Sequence, residues 1–297
     1  MTHLRKMMLE ELQRRNYAQS TAEAYILALK ELARYHRVPP DRLRPQQIRE
    51  FQLHLLRERK LSPQTVKQRM SGIRFFYVHT LRRLFPPNEF PYPKTRRRLP
   101  VILSRDEVRR LIDGASNLFH RAMLMTLYST GMRRAELVRL RVGDIDSQRM
   151  VVHIRHGKGD KDRDVPLSPM LLETLREYWR WRKPQTYLFP SRHIYQKKGE
   201  HITSKAVWHA CRGAAQRAGI QKTVGPHTLR HCFATHHLES GADLKTVQLL
   251  LGHADIRHTE IYLHLSERHI RACPNPLDGL GISDLSTVNR SWRRDKK

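Results

Sequence analysis

The chain has 297 residues, 39% of them hydrophobic, and 56 Lys and Arg against 28 Asp and Glu, a formal charge of +28. That length suits two domains with a core each, and the apolar content excludes a wholly disordered chain. No apolar run approaches the roughly 18 residues that span a bilayer, and the N-terminal MTHLRKMMLEELQRR holds no stretch apolar enough for a secretory signal, so neither a membrane nor a secreted protein is expected. Cys211, Cys232 and Cys273 are odd in number and far apart, which speaks against a disulfide framework or a Cys-based zinc site and fits a reducing cytoplasm. Residues 1–100 carry 22 basic and 8 acidic side chains, and residues 101–297 carry 34 and 20, so each half is +14. Two basic halves point to one shared polyanion, a nucleic acid whose phosphates reward many Lys and Arg contacts.

Residues 1–85 pattern as helices only. An opening helix carries Met8 and Leu12. Ser20 with Glu23 reads as a capping box for a helix with Tyr25, Ala28, Leu29 and Leu32 on one face. Pro45 suits a first helical position and is followed by Ile48, Phe51 and Leu55. Ser62-Pro63 opens a fourth helix whose stripe runs Val66, Met70, Ile73, Tyr77, Leu81. The basic side chains Arg14, Arg15, Lys67, Arg69 and Arg74 are either solvated or set against phosphates. PPNEFPYPKTRRRLP then excludes a regular helix and reads as a basic tether. These breaks divide the chain into an N-terminal helical domain (1–90), a linker (91–103), a second domain (104–270) and a basic, loosely ordered tail (271–297).

In the second domain Ser104 and Glu107 form a capping box ahead of Val108, Leu111 and Ile112. A helix from Leu118 to Thr130 ends at Gly131, a good left-handed terminator. MVVHI and RDVPL flank the turn residues HGKGDKD as a β-hairpin. Further helices are expected at Leu171–Trp181, Ser204–Ala218, in PHTLRHCFATHHLES, from Asp243 to Gly252, and in a last segment carrying Tyr262. The fold class is therefore mainly α with a small antiparallel sheet.

Breaking a phosphodiester without a metal needs cations on the phosphate oxygens, a nucleophile, and an acid for the departing oxygen. Arg133 follows the Gly131 turn. Arg230 lies three residues after His227 and so shares its helical face. Arg suits bidentate phosphate contact. Lys158 sits in the GKG turn, His253 follows Gly252, and Tyr262 lies in TEIYLH. His227 and His231 at i, i+4 form a possible metal face, but HTLRH lacks the internal Glu of HExxH and a third ligand, so no metal is expected. HGKGDKD lacks the spacing of a Walker loop. His236 and His237 read as surface histidines of a histidine-rich chain.

The ordered set TGMRRAEL, HGKGDKDRDVPL, HTLRHCFATHHLESGADLKTVQLLLGHADI and TEIYLH resembles the tyrosine recombinases, the phage integrase family that includes the Xer type. The resemblance covers about residues 104–265, with the N-terminal helices similar to that family's SAM-like core-binding domain. It implies a two-domain, C-shaped clamp on double-stranded DNA and a site-specific recombinase or integrase. It also implies that Arg133, Lys158, His227, Arg230 and His253 surround the scissile phosphate, that Tyr262 attacks to form a 3′-phosphotyrosine, that Lys158 protonates the leaving oxygen, that His227 and His253 donate hydrogen bonds or shuttle the Tyr262 proton, and that Glu136 orients Arg133. No cofactor, ATP, membrane or small-molecule substrate is expected. A homotetramer on paired sites, nucleoid-associated in the cytoplasm, is implied. Arg134 stands beside Arg133 where the family usually has an uncharged residue. Other readings of the same residues are a type IB topoisomerase-like enzyme, a metal nuclease and a catalytically silent DNA-binding module.

Overall fold

In the first of two compact units, residues within 1–98, apolar spacing resolves into four helices: α1 (His3–Arg14), α2 (Gln19–His36), α3 (Pro45–Arg57) and α4 (Pro63–Phe75). The structure, a computed structural model, describes residues 3–83, 91–94, 99–155, 162–191 and 200–263. Met8, Leu12, Leu32, Phe51, Leu55 and Ile73 fill the core between the helices. Pro45 and Pro63 each occupy the first turn of their helix, where a missing N–H costs nothing, and Ser62 Oγ accepts from the Thr65 N–H.

Two details differ from the sequence reading. α2 begins at Gln19 with Ala18 at its cap, so Ser20 lies inside the first turn and caps nothing; Glu23 instead accepts from the Gln19 side-chain amide at 3.0 Å. The α4 stripe does not run on as regular helix. It widens into a π-helical turn over Phe76–Thr80, which keeps the adjacent Phe76 and Tyr77 both buried and leaves Leu81 half-buried.

The second unit, residues within 99–297, is built around a helix that is apolar nearly all round. That helix, α6 (Leu118–Thr130), buries Ala122 through Leu127 without a break, as a central helix should. It packs on α8 (Pro169–Arg182) and on α10 (Pro226–Glu239). α5 (Arg105–Asp113) starts with the expected reciprocal cap: Ser104 Oγ accepts from the Glu107 N–H and the Glu107 carboxylate accepts from the Ser104 N–H. α7 (Arg134–Arg139), α9 (Ser204–Arg217), α11 (Leu244–Leu251) and the single turn α12 (Arg257–Glu260) complete the helices of the described residues. Three short antiparallel strands, β1 (Ile145–Asp146), β2 (Val151–Ile154) and β3 (Arg163–Pro166), form one sheet with β2 in the middle.

His236 is not a surface residue. It is 6% exposed, its Nε2 meets the Leu103 carbonyl and its Nδ1 meets the Tyr128 hydroxyl, so it pins the start of the unit to α6. His237, half-buried, bonds the Phe233 carbonyl one turn back. Cys211 and Cys232 are buried free thiols, and burial pushes their pKa values up to about 12 and about 11, so both stay protonated and unreactive. Among the described residues no helix is long and apolar enough to cross a membrane. Lys158 with its turn, residues 95–98 of the basic tether, Cys273 and the tail from residue 264 onward lie outside the described residues.

Candidate active site

A helix C-terminus leaves its last carbonyls without partners inside the helix and presents the negative end of its dipole. α11 ends at Gly252, whose φ of +63° turns the chain sharply. Three consecutive carbonyls at this end each take one guanidinium: Leu250 from Arg163 Nε at 2.8 Å, Leu251 from Arg230 at 2.7 Å, and Gly252 from Arg133 at 3.3 Å. Residues from β3, α10 and the turn before α7 are thereby drawn to one point.

Each guanidinium has a second anchor. Arg230, 3% exposed, also donates to the Gly131 carbonyl at 2.7 Å. Gly131 is fixed twice over: its φ is +58°, and an added Cβ would sit 2.4 Å from the Phe233 ring. The turn after α6 therefore clamps α10 at the position of Arg230. Glu136, 8% exposed, accepts from Arg133 at 2.9 Å and, through both oxygens, from Arg163 at 3.1 and 2.7 Å. It also accepts the Arg133 backbone N–H at 2.7 Å, which starts α7. Burial would raise its pKa, but the hydrogen bonds and charges of Arg163 and Arg133 outweigh that and hold it at about 2. Arg134 points outward and is exposed, so the doublet resolves itself: Arg133 faces the cluster and Arg134 does not.

Glu136 pairs with Arg133 and Arg163 while Arg230 stands beside them, so among the described residues this partly desolvated cluster carries two more positive charges than negative. Arg230 feels this directly. Burial, then Arg133, push its pKa down to about 9, so it stays charged at pH 7. Among the described residues, Arg133 and Arg230 each commit two of five guanidinium donors to these anchors, and three remain on each.

Tyr262 follows α12 by two residues rather than sitting within it, in a tight turn closed by its N–H on the Thr259 carbonyl at 2.9 Å. Its side chain is 2% exposed and its hydroxyl lies 2.9 Å from His231 Nδ1. Its ring runs nearly parallel to that of His253, with centroids 6.5 Å apart. Burial raises the phenol pKa, while the charges of Arg230 and Arg133 act in the opposite direction. Both guanidiniums are thus within electrostatic reach of the phenol. His253 Nδ1 bonds the Thr259 hydroxyl at 2.9 Å, and burial with the Arg230 and Arg133 charges brings its pKa to about 3. His227 is the exposed residue of the otherwise buried first turn of α10, its pKa lowered by lost hydration and by Arg230, Arg134 and Arg133. All of these rings are neutral near pH 7.

Residues 102–269 match the model of the Phage integrase family, and residues 4–86 that of the phage integrase N-terminal SAM-like domain. The chain belongs to the phage integrase family. It is a tyrosine recombinase, similar to a protein of Sinorhizobium fredii named as an integrase/recombinase, y4qK: 43% identical over 279 residues, 94% of this chain and 89% of the relative. Tyrosine recombinase XerD of Oceanobacillus iheyensis is 37% identical over 235 residues, 74% of this chain and 77% of that one. The fold is shared with the XerH site-specific recombinase bound to palindromic difH substrate in a post-cleavage complex, at a TM-score of 0.65 and 23% identity, covering 87% of this chain and 80% of that chain.

In this recombinase Arg133, Glu136, Arg230, His253 and Tyr262 converge, His227 stands at their rim, and Lys158 lies outside the described residues. Two members of the cluster were absent from the sequence reading of the site. Arg163 had a readable signal: it lies two residues before the buried Val165 on β3, so it shares that inward face and needs a partner. His231 was noticed only as a possible metal ligand with His227; its i, i+4 relation to His227 places the two on one stripe, their ring centroids 6.4 Å apart.

Proposed function

We propose that this tyrosine recombinase cuts and rejoins double-stranded DNA at specific sites, with Tyr262 as nucleophile. The observation that carries the reading is the buried Tyr262 phenol, held within the field of Arg133 and Arg230 in a pocket with surplus positive charge. A phosphodiester supplies the missing negative charge. The free donors of Arg133 and Arg230 bind its nonbridging oxygens, and Glu136 with the α11 terminus holds both guanidiniums at the angle this requires. Tyr262 Oη attacks phosphorus and becomes a 3′-phosphotyrosine. Lys158 protonates the 5′-oxygen as it leaves, and His227 donates to the phosphate from its exposed position on α10. The phosphotyrosine keeps the energy of the original bond, so a 5′-hydroxyl from a partner duplex reseals the strand by the reverse step.

The charge of +14 on residues 1–100 supports contact of both units with DNA. Exchange between two duplexes calls for four such sites, and we assign a homotetramer on paired sites, acting in the cytoplasm at the nucleoid. The names of the relatives, recombinase and integrase, favour this over a topoisomerase-like or catalytically silent reading. The test is adduct trapping on nicked suicide duplexes cut from DNA flanking the gene. A covalent protein–DNA band that persists in EDTA and disappears in Tyr262→Phe, with DNA binding kept, is the expected result. Cleavage that needs a divalent metal, or adducts that survive Tyr262→Phe, would overturn it.

A further inference from the structure

Tyrosine attack on phosphorus must release the phenolic proton, and the chain offers three histidines near the phenol. Their geometry separates them. His253 has its Nδ1 on the Thr259 hydroxyl, and its ring lies alongside Tyr262 rather than at its oxygen. His227 stands exposed at the first turn of α10. His231, one turn further into the domain, puts Nδ1 2.9 Å from Tyr262 Oη, with ring centroids 5.6 Å apart. Among the described residues it is the histidine in hydrogen-bond contact with the nucleophilic oxygen.

Burial and the charges around His231 keep its ring neutral. It faces His227 and Arg230 from its own helix and Tyr262 from the turn after α12; burial first, then His227 and Arg230, bring its pKa to about 4. It is therefore a neutral imidazole at pH 7, while Tyr262 keeps its proton. In the tautomer that carries its proton on Nε2, Nδ1 is a lone-pair acceptor and the phenol donates to it.

We propose that His231 is a catalytic residue of this recombinase: the base that takes the Tyr262 proton as the phenol attacks DNA. The inference rests on Tyr262 being the nucleophile. As the Oη–P bond forms, the Oη–H bond breaks and its proton passes to the Nδ1 lone pair. The P–O5′ bond breaks, its electron pair stays on the 5′-oxygen, and that oxygen takes a proton from Lys158. In rejoining, the imidazolium returns the proton to the departing tyrosine oxygen. The arrangement also couples activation to substrate. Without DNA, the cationic pocket opposes an imidazolium at His231. A bound phosphodiester sets negative charge against Arg230 and offsets its share of that opposition, while the larger share, from burial, stays. His227 is left to serve the phosphate.

The experiment measures single-turnover adduct formation on the suicide duplex by wild type, His231→Ala, His231→Asn and His227→Ala, with tryptophan fluorescence and DNA binding as controls of folding. The expected result is a fall of about 100-fold or more for both His231 variants, with a rate that climbs about tenfold per pH unit above neutrality as hydroxide replaces the lost base. Added imidazole restores His231→Ala, and so does replacing Tyr262 with 3,5-difluorotyrosine, whose phenol parts with its proton more readily. His231→Asn covers the case in which the alanine variant fails to fold. Rates within about threefold of wild type, or a loss that neither imidazole nor the more acidic phenol repairs, would overturn the base assignment. A wild-type protein that forms no adduct through Tyr262 would overturn the nucleophile reading beneath it.

Discussion

Replacing Glu136 by Gln keeps the shape of the side chain and removes the carboxylate that Arg133 and Arg163 share. Its pKa falls from 4.5 to about 2 on folding, because Arg163 and Arg133 outweigh the cost of burying it. A shift of that size corresponds to about 3 kcal/mol, at 1.36 kcal/mol per unit. The same order follows independently from the roughly 3–5 kcal/mol lost when one partner of a buried ion pair is removed. A depressed carboxylate pKa stabilises the fold above the unfolded value and loses that effect as pH drops through the folded one. The gap between wild type and Glu136→Gln should therefore be full at pH 7, begin to close below about pH 4.5, and be nearly gone at pH 2. All four tryptophans, Trp179, Trp181, Trp208 and Trp292, lie beyond residue 98, so selectively excited tryptophan fluorescence in urea titrations reports on the second unit alone. For a unit of this size a loss of about 3 kcal/mol also lowers Tm by about 6–12 °C. A variant within ~0.5 kcal/mol of wild type at pH 7, or a gap that stays constant down to pH 3, would refute the assignment of Glu136 as the ionised centre of the cluster.

Gly131→Ala should cost about 2–4 kcal/mol in the same assay, from the positive φ together with the overlap with Phe233, and should abolish cleavage because the Gly131 carbonyl anchors Arg230; normal stability would show that the turn is not constrained as described. Lys158→Ala should lose strand cleavage on ordinary DNA and recover most of it on DNA with a 5′-bridging phosphorothiolate, whose sulfur leaves without an acid. Lack of recovery would remove Lys158 from that role.

Much of the second unit could be read from punctuation that acts locally. The Ser104–Glu107 cap, the end of α6 at Gly131 and the hairpin strands each depend on a few neighbouring residues, and each formed as its residues require. Misreadings arose where tertiary contacts decide. Ser20 has the right spacing for a cap, yet α2 starts two residues earlier than that cap requires and Glu23 finds Gln19. β1 is two residues long, too short for alternation to mark, and exists because β2 offers it an edge. His236 looked like one more exposed histidine, but it lies on the face of α10 that meets Tyr128 and Leu103. At the site, motif order pointed to the arginines and the tyrosine. It did not reveal that consecutive carbonyls of α11 gather Arg163, Arg230 and Arg133, nor that His231 and not His227 touches the phenol. Those facts depend on where one helix ends relative to another, and no local pattern encodes that distance.

The central claim, that the Tyr262 oxygen is what bonds to DNA, is tested most directly by trapping the adduct, digesting protein and DNA, and sequencing the linked peptide by mass spectrometry. A single peptide with a 3′-nucleotide on Tyr262 is the predicted product. A nucleotide on any other side chain, or one attached through its 5′-phosphate, would contradict it.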